Sequence, residues 1–318
     1  MAFAVSWRVF LGVLLAPTFS YAEDGLAVLQ RMAQASRQLT YSGTFVYNGG
    51  NRMETSTIAH ALVDGRELER IEVLDGSPRE VIREGSEVKW FFPEENRVIV
   101  ENSASRRHFP ALLPIGMGSV LDHYAVRSIG AGRVAGVDSQ RVVLEPRDMF
   151  RYGHEFWLDA ASGLLLKASI IGERGEALES FAFTQIKIGG PLERDALRAR
   201  FANGKEQTQK VKAVAMTGED QGWTFRAGLP GFHKVSAMTR QMAPGKPASL
   251  HFLFSDGVAS ISAFIEPATE SQEAEGLSSI GPLNVYRRKI GGYRLVVMGE
   301  VPVVSVQRFG DGIERKRK

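Results

Sequence analysis

Glycine-bearing turn pairs, set at short intervals, constrain this chain more than any other feature. Between residues 41 and 101, runs rich in β-branched and aromatic residues (41–47, 54–63, 67–74, 80–83, 88–92 and 98–101) are divided by Asn48-Gly49-Gly50, Asp64-Gly65 and Asp75-Gly76. Such pairs tolerate the positive φ of tight hairpins, so each turns the chain back antiparallel to the run before it. Similar runs resume at 124–129, 133–137, 141–144, 155–158, 164–171 and 178–188. About a dozen strands without βαβ alternation predict a mainly β (α+β) fold, beginning with a large open antiparallel β-barrel or half-barrel.

Helices are few. Leu26, Leu29, Met32 and Ala33 recur at helical spacing behind Asp24, a natural N-cap, and a short helix is expected over 192–201. Residues 110–118 read as an apolar loop. Phe181 and Phe183 alternate against Ile186 and Ile188, which makes that strand apolar on both faces. A sheet with one wet face alternates more cleanly. The pattern points to a sheet rolled up under helices, or to an interior cavity walled by Trp90-Phe91-Phe92, Met149-Phe150 and Phe156-Trp157.

The N-terminus carries Arg8, an apolar run from Val9 to Leu15, and small residues at Ser20 and Ala22. This is the layout of a secretory signal peptide over residues 1–22, cut after Ala22, and the run is too short for a bilayer span. The mature chain is expected to leave the cytoplasm. With no cysteine in the chain, a disulfide framework and thiol chemistry are excluded. The length suggests two domains: 23–201, then a polar linker at 202–222, then a smaller antiparallel β domain at 223–318. In the last, Ser255-Asp256-Gly257 and Gly291-Gly292 mark hairpins, 266–276 reads as a mobile acidic loop, and Pro302 opens a terminal helix with Val303, Val306 and Phe309 inward. Lys and Arg number 39 against 36 Asp and Glu, four of the basic residues forming the tail 315–318, which reads as a solvated end. No basic stripe interleaved with aromatics supports nucleic-acid binding.

Devices for catalysis are missing. No Gly-x-Ser-x-Gly elbow occurs, and the six histidines show no i, i+3 or i, i+4 pairing that would suggest a metal. Gly130-Ala131-Gly132 with Ala135 satisfies a degenerate dinucleotide pattern but precedes another strand, so it reads as a hairpin turn. Glu94 with Glu95, or Asp148 with Glu155, lack the sugar-stacking cluster that would single out a glycosidase pair. Neither an enzyme nor a cofactor is expected.

Three stretches carry a specific resemblance: Gly228-Leu-Pro-Gly-Phe-His233, the run from His251 to Glu266, and the segment from Asn284 through Gly292-Tyr293 to Pro302. With residues 41–47 and 157–164, they resemble the MucB/RseB family of periplasmic regulators over nearly the whole mature chain. The basic tail after Gly312 is the one candidate departure. The resemblance implies a first domain like the lipoprotein carriers LolA and LppX. It implies a partner too, the periplasmic part of a MucA/RseA-like transmembrane anti-sigma factor, which such proteins shield from regulated proteolysis in the sigma-E envelope-stress response. In some relatives the locus controls alginate production. Lipid or lipopolysaccharide is implied as the trigger of release, with Trp90, Phe91, Phe92, Met117, Met149, Phe150, Phe156 and Trp157 as expected lipid-binding residues. Leu229 and Phe232 read either as exposed partner contacts or as core. A homodimer is left open, and a periplasmic lipid or lipoprotein carrier of the LolA class is the alternative reading.

Overall fold

A computed structural model describes residues 25–50, 52–102, 119–202, 204–216, 220–226, 228–241, 247–268 and 274–316. The signal segment with its cut after Ala22, the Asp24 cap, the 110–118 loop with Met117, residues 269–273 of the acidic loop and the last two residues lie outside them.

Helix α1 (Gly25–Gln38) leads into β1 (Tyr41–Gly49), β2 (Arg52–Val63), β3 (Arg66–Val73), β4 (Arg79–Glu84), β5 (Glu87–Phe92) and β6 (Arg97–Asn102). Each strand pairs antiparallel with its predecessor. Asp64 and Gly65 take φ of 49° and 75°, the left-handed pair that a two-residue hairpin requires. After a short helix α2 (Val120–His123), a second meander runs through β7 (Tyr124–Val134), β8 (Val137–Pro146), β9 (Gly153–Asp159), β10 (Leu165–Ile171) and β11 (Ala177–Ile188). β11 pairs with β1 and welds the two meanders into one open antiparallel sheet, with β7 at one end and β6 at the other. α1 packs against β2, β7 and β10, burying Val28, Leu29, Met32 and Ala33 in a core that includes Tyr41, Tyr124, Leu144, Phe156 and Phe183.

The remaining chain forms β12 (Gln207–Ala215), β13 (Trp223–Phe225), β14 (His233–Gln241), β15 (Ser249–Ser255), β16 (Ser260–Pro267), β17 (Gly276–Ile280), β18 (Leu283–Ile290), β19 (Tyr293–Gly299), helix α3 (Val303–Asp311) and β20 (Ile313–Arg315). β14, β15, β16, β19, β18 and β17 lie side by side in that order, all antiparallel. α3 covers β18 and β19, and a second core gathers Phe252, Ile261, Val297, Val306 and Phe309.

Several sequence expectations change. The segment 202–222, expected as a linker, contains β12, whose first half pairs parallel with β6 (Gln207 opposite Arg97) and whose second half pairs antiparallel with β14 (Lys212 opposite Gln241). One strand thus belongs to both sheets. Over 192–201 only Arg194–Leu197 forms a 3-10 turn, because the backbone N–H groups of Arg200 and Phe201 donate to the buried Glu80 carboxylate at 3.0 and 3.2 Å rather than to helix carbonyls. Gly130–Gly132 lies inside β7 at a bulge, and the hairpin turns instead at Ala135-Gly136. Val303 is 39% exposed, since Pro302 caps α3 and places Val303 on its outer side. Arg315 is held in a strand beside β13, with its guanidinium over the Tyr293 ring, so the basic tail is ordered at least to that point.

The two-faced strand has a geometric cause. The register between β1 and β11 shifts at Thr44/Phe45, with Thr44 opposite Gln185 and Phe45 opposite Phe183, leaving Thr184 as an extra residue. A bulge of one residue swaps the faces beyond it. Phe181 and Phe183 before it, and Ile186 and Ile188 after it, therefore all pack on the same core.

Candidate functional site

A cavity of about 940 Å³ lies between the two sheets. The barrel supplies Phe45, Trp90, Phe91, Phe92, Phe156 and Phe181, and the second lobe supplies Leu253, Val258, Phe264, Leu283 and Met298. On β9 the strand alternates: Phe156 points inward between neighbours on β8 and β10, while Trp157 points out. Such a volume, apolar with a few convergent polar groups, has the character of a small-molecule site.

Besides Glu80, His154, His251 and several serines, the polar lining includes two clusters. Arg52 on β2 and Arg79 on β4 both pair with the single Glu54 carboxylate, leaving one positive charge uncompensated within that cluster on the cavity wall. Tyr47 on β1 donates its hydroxyl to Glu179 on β11, and Glu300, just beyond β19, faces the same space. Glu300 is exposed by surface area, yet the protein packed around it desolvates it, and this with the nearby Glu179 pushes its carboxyl up to about 7. Desolvation raises Glu179 too, against the lowering effect of the Tyr47 hydroxyl. Next to Arg52 and Leu283 of the wall, two hairpin turns touch, one from each lobe. A Cβ placed on Gly281 would lie 3.1 Å from the Gly50 nitrogen.

Besides β12, a knob between β8 and β9 joins the lobes. Ser305 donates to the Phe150 carbonyl at 2.8 Å, Arg308 covers the Phe150 ring, and the Asn284 amide donates to the Tyr152 hydroxyl at 3.1 Å. Between them Arg151, with no exposed side-chain surface, donates to Asp148 at 2.9 Å, to Asp256 at 2.6 Å and to the Pro230 carbonyl at 2.6 Å. Asp256 also accepts the Tyr124 hydroxyl at 3.1 Å and, through its other oxygen, the N–H groups of Val258 and Ala259. Where β12 crosses from sheet to sheet, Arg240 on β14 pairs with Glu101 on β6 at 2.7 Å, both buried.

Trp90, Phe91, Phe92 and Phe156 thus meet at the cavity, and the other expected lipid contacts do not. Trp157 lies on the outer face, against Gly132 and beneath Arg141 and Lys167. Met149 is 60% exposed, and Phe150 belongs to the joint. Met117 is outside the described residues. Of the two residues open to either role, Leu229 is 4% exposed in the second core, and Phe232 is half-buried under the Arg151 guanidinium, because the Leu229–Phe232 turn folds into the joint. The polar groups Glu179, Glu300, Arg52 and Arg79, and the Arg151–Asp256 pair, were not expected: apart from Arg52, which pairs with Glu54 two residues on, they meet groups distant in sequence.

Comparison with known proteins accounts for both lobes. The MucB/RseB N-terminal domain matches residues 24–201 and the MucB/RseB C-terminal domain matches 217–314. The sigma factor AlgU regulatory protein MucB of Pseudomonas aeruginosa is 32% identical over 310 residues, covering 95% of each chain. The sigma-E factor regulatory protein RseB of Escherichia coli is 24% identical over 290 residues, 91% of this chain and 90% of that one. The solved MucA/MucB complex of Pseudomonas aeruginosa superimposes with a TM-score of 0.72 at 30% identity, covering 93% of this chain and all of that one. With family domains matched over most of its length and a relative this similar end to end, the chain belongs to the MucB/RseB family.

Proposed function

We propose that this protein is an exported regulator that binds the periplasmic segment of a transmembrane anti-sigma factor and shields it from proteolysis, and that an amphiphile in the two-lobed cavity releases it. Similarity to MucB, solved in complex with MucA, supports the partner. The observation that carries the switch is the cavity wall, drawn from both lobes. Each buried methylene contributes about 0.8 kcal/mol, so a few suffice to match the ~1–3 kcal/mol typical of coupling between sites. The uncompensated charge on Arg52 and Arg79 suits an anionic headgroup such as a phosphate. A ligand shifts the equilibrium only by its difference in affinity between states, and a cavity whose walls move with the lobes supplies such a difference.

Calorimetric titration of the mature protein with the anti-sigma segment, repeated with lipid A fragments present, tests this reading. Tight binding that lipid weakens is the expected outcome. Lipid uptake without any binding of the segment would instead identify a carrier of the LolA class.

A further inference from the structure

We infer that Arg151 fixes the angle between the two lobes and, through it, the width of the cavity. The lobes are connected first by β12, hydrogen-bonded to β6 on one side and β14 on the other. A single shared strand leaves rotation about its own axis soft, because neighbouring strands accept a broad range of twist. The Glu101–Arg240 pair sits at the crossing itself, where Val211 lies opposite Glu101 and Ala213 opposite Arg240, so it has no lever arm against that rotation.

Arg151 lies off the axis, on the knob between β8 and β9. It is the fully buried cation of the joint, and its planar fork engages both lobes at once: Asp148 on its own side, Asp256 and the Pro230 carbonyl on the other. The Tyr124 and Phe232 rings, one from each lobe, lie 5.5 and 5.3 Å from the guanidinium carbon. Directional bonds to three groups hold a plane in one orientation, which a lysine or an apolar side chain cannot do. Buried ion pairs contribute little net stability compared with apolar contacts of the same volume, and their attested use is to specify one arrangement. The arrangement specified here brings the second lobe's Gly281 against Gly50 of the β1–β2 turn, next to Arg52 and Leu283 of the cavity wall.

The test exploits a chain that contains no cysteine. Gly50→Cys with Gly281→Cys puts one thiol on each side of the closing contact, where each glycine's Cβ position falls 3.8 and 3.6 Å from the opposite Cα. Both positions have positive φ, and the cost of a cysteine there is common to every variant compared. Disulfide formation under mild oxidant then reports how often the lobes are closed. Adding Arg151→Met with Asp256→Asn removes both charges, while Asn retains the oxygen that receives the Val258 and Ala259 N–H groups. Cross-linking is expected to slow about tenfold as the effective concentration of the two thiols falls, with circular dichroism and the two cores intact. An unchanged rate in the folded variant overturns the inference, as does failure of the parent pair to cross-link. Should the double variant not fold, Arg151→Lys serves in its place, keeping the charge and losing the fork: slower cross-linking supports the inference and an unchanged rate overturns it. Neither lipid nor anti-sigma segment enters the measurement, so its result is independent of the function proposed above.

Discussion

Two residues of the joint and the cavity wall lend themselves to direct tests. Glu300 is protonated in the native protein at pH values where the unfolded chain has released the proton, since its carboxyl is pushed from 4.5 up to about 7. The native state then binds more protons than the unfolded one across that window, so this contribution to stability is full below pH 4.5 and is lost as pH rises through about 7. Glu300→Gln should therefore leave the melting temperature unchanged at pH 4.5 and raise it at pH 8, and parallel melting curves at the two pH values check the sign. Leu229 is a different case. Its residual exposure of 4% places it in the second core, so Leu229→Ala should cost about 2–5 kcal/mol in denaturant unfolding of that lobe. A cost under about 0.5 kcal/mol, the range of surface substitutions, would return Leu229 to the surface, one of the two roles open from sequence.

At the scale of elements, β12 is the piece on which the architecture turns. It is held by pairing on both flanks, and the buried Glu101–Arg240 pair ties those flanks together. Removing one member of a buried pair leaves the other uncompensated, a loss of about 3–5 kcal/mol. Arg240→Ala alone should be strongly destabilising, and adding Glu101→Ala should recover part of the loss. Unfolding curves for the two single variants and the double one measure the coupling, and strict additivity would mean that the pair does not hold the flanks together. The contrast between β12 and the meanders also explains what the sequence made legible. Asp64-Gly65 announces a hairpin within four residues, and the Leu26, Leu29, Met32 stripe announces α1 within two turns, because the causes are local. β12 reads Gln-Thr-Gln-Lys-Val and is mostly exposed, so no core-facing alternation marks it, and the partner that makes it a strand is more than a hundred residues earlier in the chain. The same distance hides Arg151 and Asp256: each is an ordinary charged loop residue until the fold joins them. Trp157 misled for the opposite reason: it follows Phe156 directly, but its indole lies on the other face of β9 against Gly132, Arg141 and Lys167, so only Phe156 of that pair lines the cavity.

For the whole molecule, the ownership of the cavity separates regulator from carrier. A carrier of the LolA class needs only the barrel, and the barrel here contributes the Phe45, Phe156 and Phe181 wall. Yet Leu253, Val258, Phe264, Leu283 and Met298 come from the second lobe, so an acyl chain in this space is dehydrated by both. Removing residues 222–318 would expose the methylenes that those side chains cover. Two such methylenes already correspond to about 1.6 kcal/mol, and tenfold in affinity is about 1.4 kcal/mol. The truncated chain, once its β-sheet signal is shown to persist, should bind a fluorescent fatty acid at least about tenfold more weakly than the full chain. Equal affinity would mean that the barrel is a self-sufficient lipid site, and the second lobe would then sense lipid through the joint rather than by touching it.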